Sequence, residues 1–184
     1  FSRYPIEYES WWGITTLPNV NENNPDYTAY ICGENGILQR WIDKGARGWR
    51  LDVADELPDE FLDNLNKAVK AKGDDKVIYG EVWEDASNKE SYGVRRRYLI
   101  GGQLDSVMNY PFKEAIINYC KYGDARGFED GVMTILEHYP KPSADMLMNF
   151  LSTHDTERIL TRLAGEDVGW HDREWQAERY LSPE

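Results

Sequence analysis

The chain has 184 residues, and its 41% hydrophobic and 13% aromatic content is typical of a folded domain with a sizeable core. Its 33 acidic residues outnumber 21 basic ones, and the formal net charge of −12 argues against nucleic acid or an anionic membrane surface as a partner. No apolar run approaches the roughly 20 residues that a membrane span requires. A neutral substrate is the better match, since seven Trp and twelve Tyr residues offer flat faces of the kind that pack on sugar rings.

Helical and strand patterns alternate along most of the chain. Residues 1–24 are rich in Pro, Gly and Asn and predict an irregular loop. The elements predicted after this loop are a helix from Pro25 to Gly45, a strand over 48–54, a helix from Pro58 to Gly73, a strand over 77–83, a polar loop over 84–102, a strand over 104–109, a helix from Pro111 to Gly123, a helix over 128–139, a strand over 146–151 and a helix that ends at Gly165. Residues 166–184 form a charged tail that is expected to be partly helical.

Several of the predicted strands are almost continuously apolar, which is typical of a parallel sheet covered by helices on both faces. Two α/β architectures are consistent with the order of elements: a doubly wound sheet and an arc of a (β/α)8 barrel. No Gly-rich phosphate loop follows any predicted strand, which weakens the nucleotide-binding version of the doubly wound sheet.

Carboxylates stand near the C-terminal ends of three predicted strands. Asp52 lies at the end of the first, Glu81 near the end of the second, and the pair His154-Asp155 follows the last. In a parallel barrel the C-terminal strand ends converge on one rim, where active sites are built. We therefore expect the three acids to lie close together.

The neighbours of two of these acids predict opposite protonation states. Arg50 lies two residues before Asp52 on the same face of the strand, so their pairing is expected to keep Asp52 ionised. Glu81 stands within the apolar stretch 77–83, which is expected to favour its protonated form. A protonated acid that faces an ionised carboxylate is the arrangement that glycosidic cleavage requires.

Three short motifs carry a resemblance to a known family. Gly48-Trp49-Arg50-Leu51-Asp52, Gly80-Glu81-Val82-Trp83 and Phe150-Leu151-Ser152-Thr153-His154-Asp155 resemble three signature regions of the α-amylase family of glycoside hydrolases, in the family's order. The segments Leu17-Pro18-Asn19 and Asp52-Val53-Ala54-Asp55-Glu56 are similar to the neopullulanase, cyclomaltodextrinase and maltogenic amylase branch. The family pattern prefers Lys at the position of Asn19 and Asn at the position of Asp55.

The resemblance implies a role for each candidate residue. Asp52 is the implied nucleophile, Glu81 the general acid/base, and Asp155 a third carboxylate that stabilises the transition state by contacting sugar hydroxyls. The substrate-binding residues that it implies are Arg50, which orients Asp52, His154, which contacts the sugar ring, and Glu56 and Trp83, which line subsites on the leaving-group side. The implied reaction retains the anomeric configuration, with the two carboxyl groups about 5–5.5 Å apart.

Two other functions remain open on the same residues. Glu56 and the nearby aromatic residues are consistent with a sugar acceptor in place of water, which would make the protein an α-glucan transglycosylase. A non-catalytic binding scaffold on the same barrel is the second alternative, and such a protein is expected to lack one or more of the three carboxylates, all of which are present here.

The resemblance also implies a domain organisation. Residues 1–24 correspond to the end of an excursion after barrel strand 3, residues 25–165 to strands 4 to 7 of the (β/α)8 barrel with their helices, and residues 166–184 to an extension of the seventh helix region. Such an arc leaves strand edges unpaired. We therefore expect the piece alone to be inactive, and homo-oligomers to be possible through those edges.

No cofactor is expected, although calcium is possible in a complete enzyme of this family, and no residue is assigned as a metal ligand. Cys32 and Cys120 lack metal-ligand spacing and are predicted to be buried free thiols. Free thiols and the resemblance together favour a cytoplasmic protein, with an α-glucan oligosaccharide as its substrate.

Overall fold

The computed structural model describes residues 8–165 and 174–175, and its centre is a parallel sheet of three strands. Strand β1 (Gly48–Leu51) pairs with β2 (Val77–Gly80), which pairs in turn with β5 (Ser106–Val107). A separate antiparallel hairpin is formed by β3 (Glu90–Ser91) and β4 (Val94–Arg95). The predicted parallel arrangement of the first three strands is confirmed.

Seven α-helices flank these strands within the described residues. They are α1 (Pro25–Cys32), α2 (Ile37–Asp43), α3 (Asp59–Lys70), α4 (Tyr110–Tyr122), α5 (Ala125–His138), α6 (Lys141–Asp145) and α7 (Ile159–Ala164). Local chemistry sets the first of them: the Asn24 side chain accepts hydrogen bonds from the N–H groups of Asp26 and Tyr27, and Pro25 occupies the first turn. Asn109 caps α4 in the same way, and Gly123 ends it in the left-handed conformation, with φ of 72°.

The core lies between the sheet and α3. The stripe predicted on this helix is confirmed, because Phe61, Leu62, Leu65, Ala68 and Val69 are all buried. Opposite them, the side chains of β2 and β5 are fully buried at Ile78 and Val107. Burying one such aliphatic side chain contributes roughly 1.5–3 kcal/mol. This core fixes the strand ends from which the functional side chains project.

Several predicted boundaries are wrong: the second strand, predicted over 77–83, ends at Gly80, the third, predicted over 104–109, is Ser106–Val107, and three further differences have local reasons. The single helix predicted over 25–45 is two helices, because the backbone is extended at Gly33 and at Gly36. The first strand stops at Leu51 because Val53 adopts a left-handed conformation, with φ of 35°. The last predicted strand, over 146–151, is reduced to one parallel bridge between Met108 and Met148.

Two elements were not predicted. The β3–β4 hairpin lies inside the polar stretch expected to be a loop, and α6 precedes the short bridge. The prediction that both cysteines are buried is also wrong, since Cys120 is exposed. Cys32 is partly buried, and this burial raises the pKa of its thiol to about 11. In the described part of the chain, no helix has the length and apolar character needed to cross a membrane.

We expect Gly48→Ala to break the pairing of β1 with β2. A Cβ added at Gly48 would lie 1.9 Å from the backbone oxygen of Val77, its partner in the sheet register. Backbone cannot move away as a side chain can, so we expect a loss of at least about 2 kcal/mol in the free energy of unfolding. Urea denaturation of the full-length protein, followed by circular dichroism, measures this loss.

Gly131→Ala in α5 is the matched control. A Cβ there meets only the Ala115 methyl carbon, at 3.2 Å, and alanine favours the helix, so the change should stay within about 1 kcal/mol. Equal losses in the two variants would contradict the close approach of β1 and β2 at Gly48.

Candidate active site

The C-terminal ends of β1 and β2 and the segment before α7 border one cavity of about 730 Å³. Its lining residues are Trp11, Trp12, Leu17, Pro18, Asn19, Asp52, Val53, Asp55, Glu81, Trp83, Glu84 and Asp155. The three carboxylates that sequence reasoning selected, Asp52, Glu81 and Asp155, therefore share one cavity. The sheet register explains the first two: Leu51 pairs with Gly80, so the residues that follow them, Asp52 and Glu81, stand level with each other.

Glu81 is 3% exposed, and polar donors surround both of its carboxyl oxygens. Oε1 accepts hydrogen bonds from the Trp83 indole N–H at 3.1 Å and from the Tyr110 hydroxyl at 3.2 Å. Oε2 accepts a hydrogen bond from the Val53 backbone N–H at 2.9 Å and lies 3.0 Å from a guanidinium nitrogen of Arg50. The expectation that apolar groups surround this carboxyl is wrong, because N–H and O–H groups of Val53, Trp83 and Tyr110 face it.

Arg50 is shared between the two catalytic candidates. Its Nη1 lies 2.5 Å from Asp52 Oδ1, while its Nη2 lies 3.0 Å from Glu81 Oε2. The predicted Arg50–Asp52 pair is confirmed, but the second contact was missed, although the register of β1 and β2 is the signal that could have revealed it. The Asp52 side chain is 71% exposed, so it is open to a ligand where Glu81 is not.

Val53 makes a tight turn that aims its backbone at Glu81. The φ of 35° and ψ of 68° are unusual for a β-branched residue and store strain. This turn allows the Val53 N–H to reach the Glu81 side chain, while the next N–H, of Ala54, bonds the Glu81 backbone oxygen at 3.0 Å. Nothing in the type of residue 53 signals this role, so sequence reasoning could not find it.

Asp155 and His154 lie on the segment between the Met148 bridge and α7. The Thr153 hydroxyl accepts a hydrogen bond from the Asp155 backbone N–H at 3.2 Å, which shapes the turn that presents the carboxylate to the cavity. His154 Nε2 lies 3.2 Å from Asp155 Oδ2, and the imidazole is 76% exposed. His154 is not among the lining residues, so the structure places it at the edge of the site.

The sequence matches the Alpha-amylase family, described as alpha amylase, catalytic domain, over residues 7–180.

The chain belongs to the α-amylase family.

Among curated relatives, neopullulanase 2 of Thermoactinomyces vulgaris is 35% identical over 157 residues, which are 84% of this chain and 25% of that protein. A cyclomaltodextrinase of Bacillus sp. is 34% identical over 162 residues, covering 86% of this chain and 27% of the relative. The chain thus spans about a quarter of the length of these two relatives.

Solved structures show the same relationship. The cyclic α-maltosyl-(1→6)-maltose hydrolase of Arthrobacter globiformis, in complex with maltose, superposes with a TM-score of 0.76 at 31% identity, over 86% of this chain and 34% of that one. The fold prediction is therefore confirmed: the three parallel strands and their helices are part of the (β/α)8 barrel of α-amylase family enzymes.

Glu56 and Trp83, which the α-amylase resemblance placed at subsites, are both held by aromatic partners. Glu56 accepts hydrogen bonds from the Trp12 indole N–H at 2.9 Å and from the Tyr92 hydroxyl at 2.7 Å, and the latter bond raises the pKa of Tyr92. Trp83 stacks on Tyr110 with ring centroids 4.4 Å apart. Glu56 itself is not a lining residue of the cavity, but it anchors Trp12, which is.

Asp55, where the family pattern prefers Asn, is held by a lysine and a tyrosine. Lys89 Nζ lies 3.0 Å from Asp55 Oδ2, and the Tyr98 hydroxyl donates to Oδ1 at 2.7 Å. Burial, followed by this bond to Asp55, raises the pKa of Tyr98. Asp55 is therefore accommodated in this position by the Tyr98 hydroxyl and by Lys89, a cation that it shares with Glu84.

Across residues 8–165 and 174–175, no three His, Cys, Asp or Glu side chains are grouped so that they could hold a metal ion. The acids of the cavity are instead tied to donors of the protein, such as the Arg50 guanidinium.

Proposed function

We propose that this chain carries the catalytic centre of a retaining glycoside hydrolase that cleaves α-glucosidic bonds in starch-like oligosaccharides or polysaccharides. The observation that supports this most is the meeting of Asp52, Glu81 and Asp155 on one cavity, with Asp52 open to it and Glu81 held by donors. An exposed carboxylate can attack a sugar, whereas a buried and firmly oriented acid can pass a proton to and from it.

The reaction has two steps. In the first, Asp52 Oδ attacks the anomeric carbon while Glu81 gives its proton to the glycosidic oxygen, so that one sugar leaves and the other is bonded to Asp52. In the second, Glu81 takes a proton from water, the water oxygen bonds to the anomeric carbon, and the bond to Asp52 breaks. Asp155 accepts hydrogen bonds from sugar hydroxyls, and Arg50 holds Asp52 in position.

The substrate class is supported by the printed names of the relatives, which include a neopullulanase, a cyclomaltodextrinase and a maltose-bound hydrolase. Trp11, Trp12 and Trp83 give the cavity the flat apolar faces on which neutral sugar rings pack. We place Trp83 and Glu56 on the leaving-group side and His154 against the ring at the cleavage point, as the family resemblance implies.

Transglycosylation is a second candidate function. It is favoured by the Glu56 carboxylate, which does not line the cavity but fixes Trp12 on the side where an acceptor sugar would replace water.

We propose this activity for a polypeptide that also contains the remaining barrel strands, rather than for the 184 residues alone. Within the described residues, β1 pairs with a neighbour on one edge only, so the sheet around Asp52 is supported on one side. We propose that further barrel strands complete the site, and that without them the chain is inactive and prone to self-association through the free edge.

The anomeric form of the first product tests the proposed reaction. Full-length protein mixed with maltotetraose should release products in the α configuration, because two successive displacements at one carbon restore the original geometry. Proton NMR within the first minutes, before mutarotation, reads the anomeric signals. A β product would contradict the covalent route through Asp52, and binding without any cleavage would favour a scaffold.

A second experiment, with maltotriose as substrate, tests transglycosylation. Products longer than the substrate would assign the protein to transglycosylation.

A further inference from the structure

The hydrogen-bond partners of Glu81 differ in what they can do when its proton leaves. The Val53 N–H and the Trp83 indole N–H can only donate, and the Arg50 guanidinium, which contacts Oε2 as an ion pair, offers no acceptor either. Among the described partners of this carboxyl, the Tyr110 hydroxyl is the one that can both donate and accept. An acid/base must exist in both forms during one turnover, and only its protonated form needs an acceptor.

We infer that Tyr110 is a positioning residue whose hydroxyl reverses direction to support both protonation states of Glu81. This inference depends on the acid/base role proposed for Glu81. With Glu81 ionised, the Tyr110 hydroxyl donates to Oε1. With Glu81 protonated on Oε1, that proton is donated to the Tyr110 oxygen until a glycosidic oxygen takes it. No proton is gained or lost by Tyr110, because its hydroxyl only rotates.

When the Tyr110 hydroxyl accepts from Glu81, its own proton must turn elsewhere, and we assign the Thr153 side chain as the partner toward which it turns. Burial raises the pKa of Tyr110 to about 12, and a hydrogen bond with the Thr153 side chain acts in the opposite direction. The Tyr110 hydroxyl therefore keeps its proton at neutral pH and can turn it toward Glu81 or toward Thr153. The Thr153 hydroxyl lies 3.4 Å from that of Thr156, and either can donate, so the chain of hydroxyls can reverse as a unit.

The charged groups around the row of hydroxyls of Tyr110, Thr153 and Thr156 cannot take over its role as an acceptor for the Glu81 proton. They are Arg50 and Asp52 from the end of β1, Lys113 from α4, whose Nζ lies 5.7 Å from the Tyr110 ring centroid, and Asp155 from the segment before α7. Arg50 and Lys113 are donors only, and Asp155 acts on Tyr110 through its charge. A protonated Glu81 without Tyr110 would therefore bury a donor with no acceptor beside it, which is costly.

Packing makes the hydroxyl separable from the ring. Tyr110 is 2% exposed, stacks on Trp83 and meets the edge of Phe150 at a centroid distance of 4.8 Å. Tyr110→Phe preserves these ring contacts and removes only the oxygen. The variant therefore tests the proton-handling role without removing the platform under Trp83.

Two substrates with different leaving groups test the inference in the full-length protein. Maltotetraose needs a proton on its leaving oxygen, whereas α-maltosyl fluoride loses fluoride without one. For Tyr110→Phe we expect kcat/KM to fall about tenfold on maltotetraose, with KM nearly unchanged, and to stay within about twofold on the fluoride. Thr153→Val removes the next hydroxyl after Tyr110 and also the bond that shapes the Asp155 turn, so both rates should fall, but the rate on maltotetraose more than the rate on the fluoride.

Tyr139→Phe is the matched control. It removes another buried hydroxyl, which accepts a hydrogen bond from the Ala86 N–H outside the cavity, and should leave both rates unchanged. Equal losses on the two substrates in Tyr110→Phe, or no loss on either, would overturn the inference. If Tyr110→Phe does not fold, Thr153→Val decides by the same criterion. A wild-type protein that cleaves neither substrate would instead overturn the proposed function.

Discussion

Glu81→Gln is expected to lower kcat on maltotetraose at least about a thousandfold, or about 4 kcal/mol in activation free energy. The amide keeps the size of the side chain but can neither give a proton to the glycosidic oxygen nor take one from water. On α-maltosyl fluoride the first step needs no proton, so the sugar should bond to Asp52 and then remain there. Mass spectrometry of the intact protein should show this added maltosyl group.

The surroundings of Glu81 require a stability control for this variant. Donors face both carboxyl oxygens, so the NH2 group of glutamine must lie against at least one of them, at a cost of about 1–3 kcal/mol. Activity is therefore compared at a temperature at which thermal unfolding shows the variant to be folded. Added azide should restore turnover of the fluoride and give the α-maltosyl azide. Activity on maltotetraose within about tenfold of wild type would refute the acid/base role.

Asp52→Asn should abolish turnover of both substrates, with losses of at least about 10⁴-fold, because no covalent intermediate can form without the carboxylate. Treatment with α-maltosyl fluoride therefore distinguishes the two carboxylates. Glu81→Gln should acquire the maltosyl group, whereas Asp52→Asn should not. In Asp52→Ala, azide can occupy the vacated space and attack the sugar directly. We expect the β-maltosyl azide, since a single displacement inverts the anomeric carbon.

Asp43→Asn is the matched control for this substitution. Asp43 is a half-exposed carboxylate paired with Lys72 at 2.8 Å, and it lies outside the cavity, so its loss should leave kcat unchanged. An Asp52→Asn protein that retains activity within about tenfold of wild type, or yields the α-azide in the alanine form, would rule out Asp52 as the nucleophile.

The location of the three acids could be predicted from the sequence because it follows from a general property of parallel strands. Their C-terminal ends meet at one edge, so Asp52 and Glu81, each just beyond a short apolar strand, had to come together. The prediction survives errors of two or three residues in the strand ends. Asp155 reaches the same cavity even though the strand predicted before it is reduced to one bridge.

The immediate contacts of Glu81 could not be predicted in the same way. Tyr110 comes from the start of α4, 29 positions along the chain, and its reach depends on how that helix packs. The Val53 N–H arrives through a backbone conformation that valine rarely adopts, so residue type pointed away from it. The apolar residues beside Glu81 in the sequence pack into the core. The oxygens of Glu81 instead meet groups from other elements, such as the Val53 N–H and the Tyr110 hydroxyl.

Arg50 is the cation that both Asp52 and Glu81 contact among the described residues. Removal of one carboxylate therefore leaves the guanidinium free to contact the other alone, so the positions of the two acids depend on each other. A rate measured after substitution of Asp52 or Glu81 therefore reports on both residues. The contribution of either one to catalysis is defined only when it is stated whether the other is a carboxylate or has been substituted.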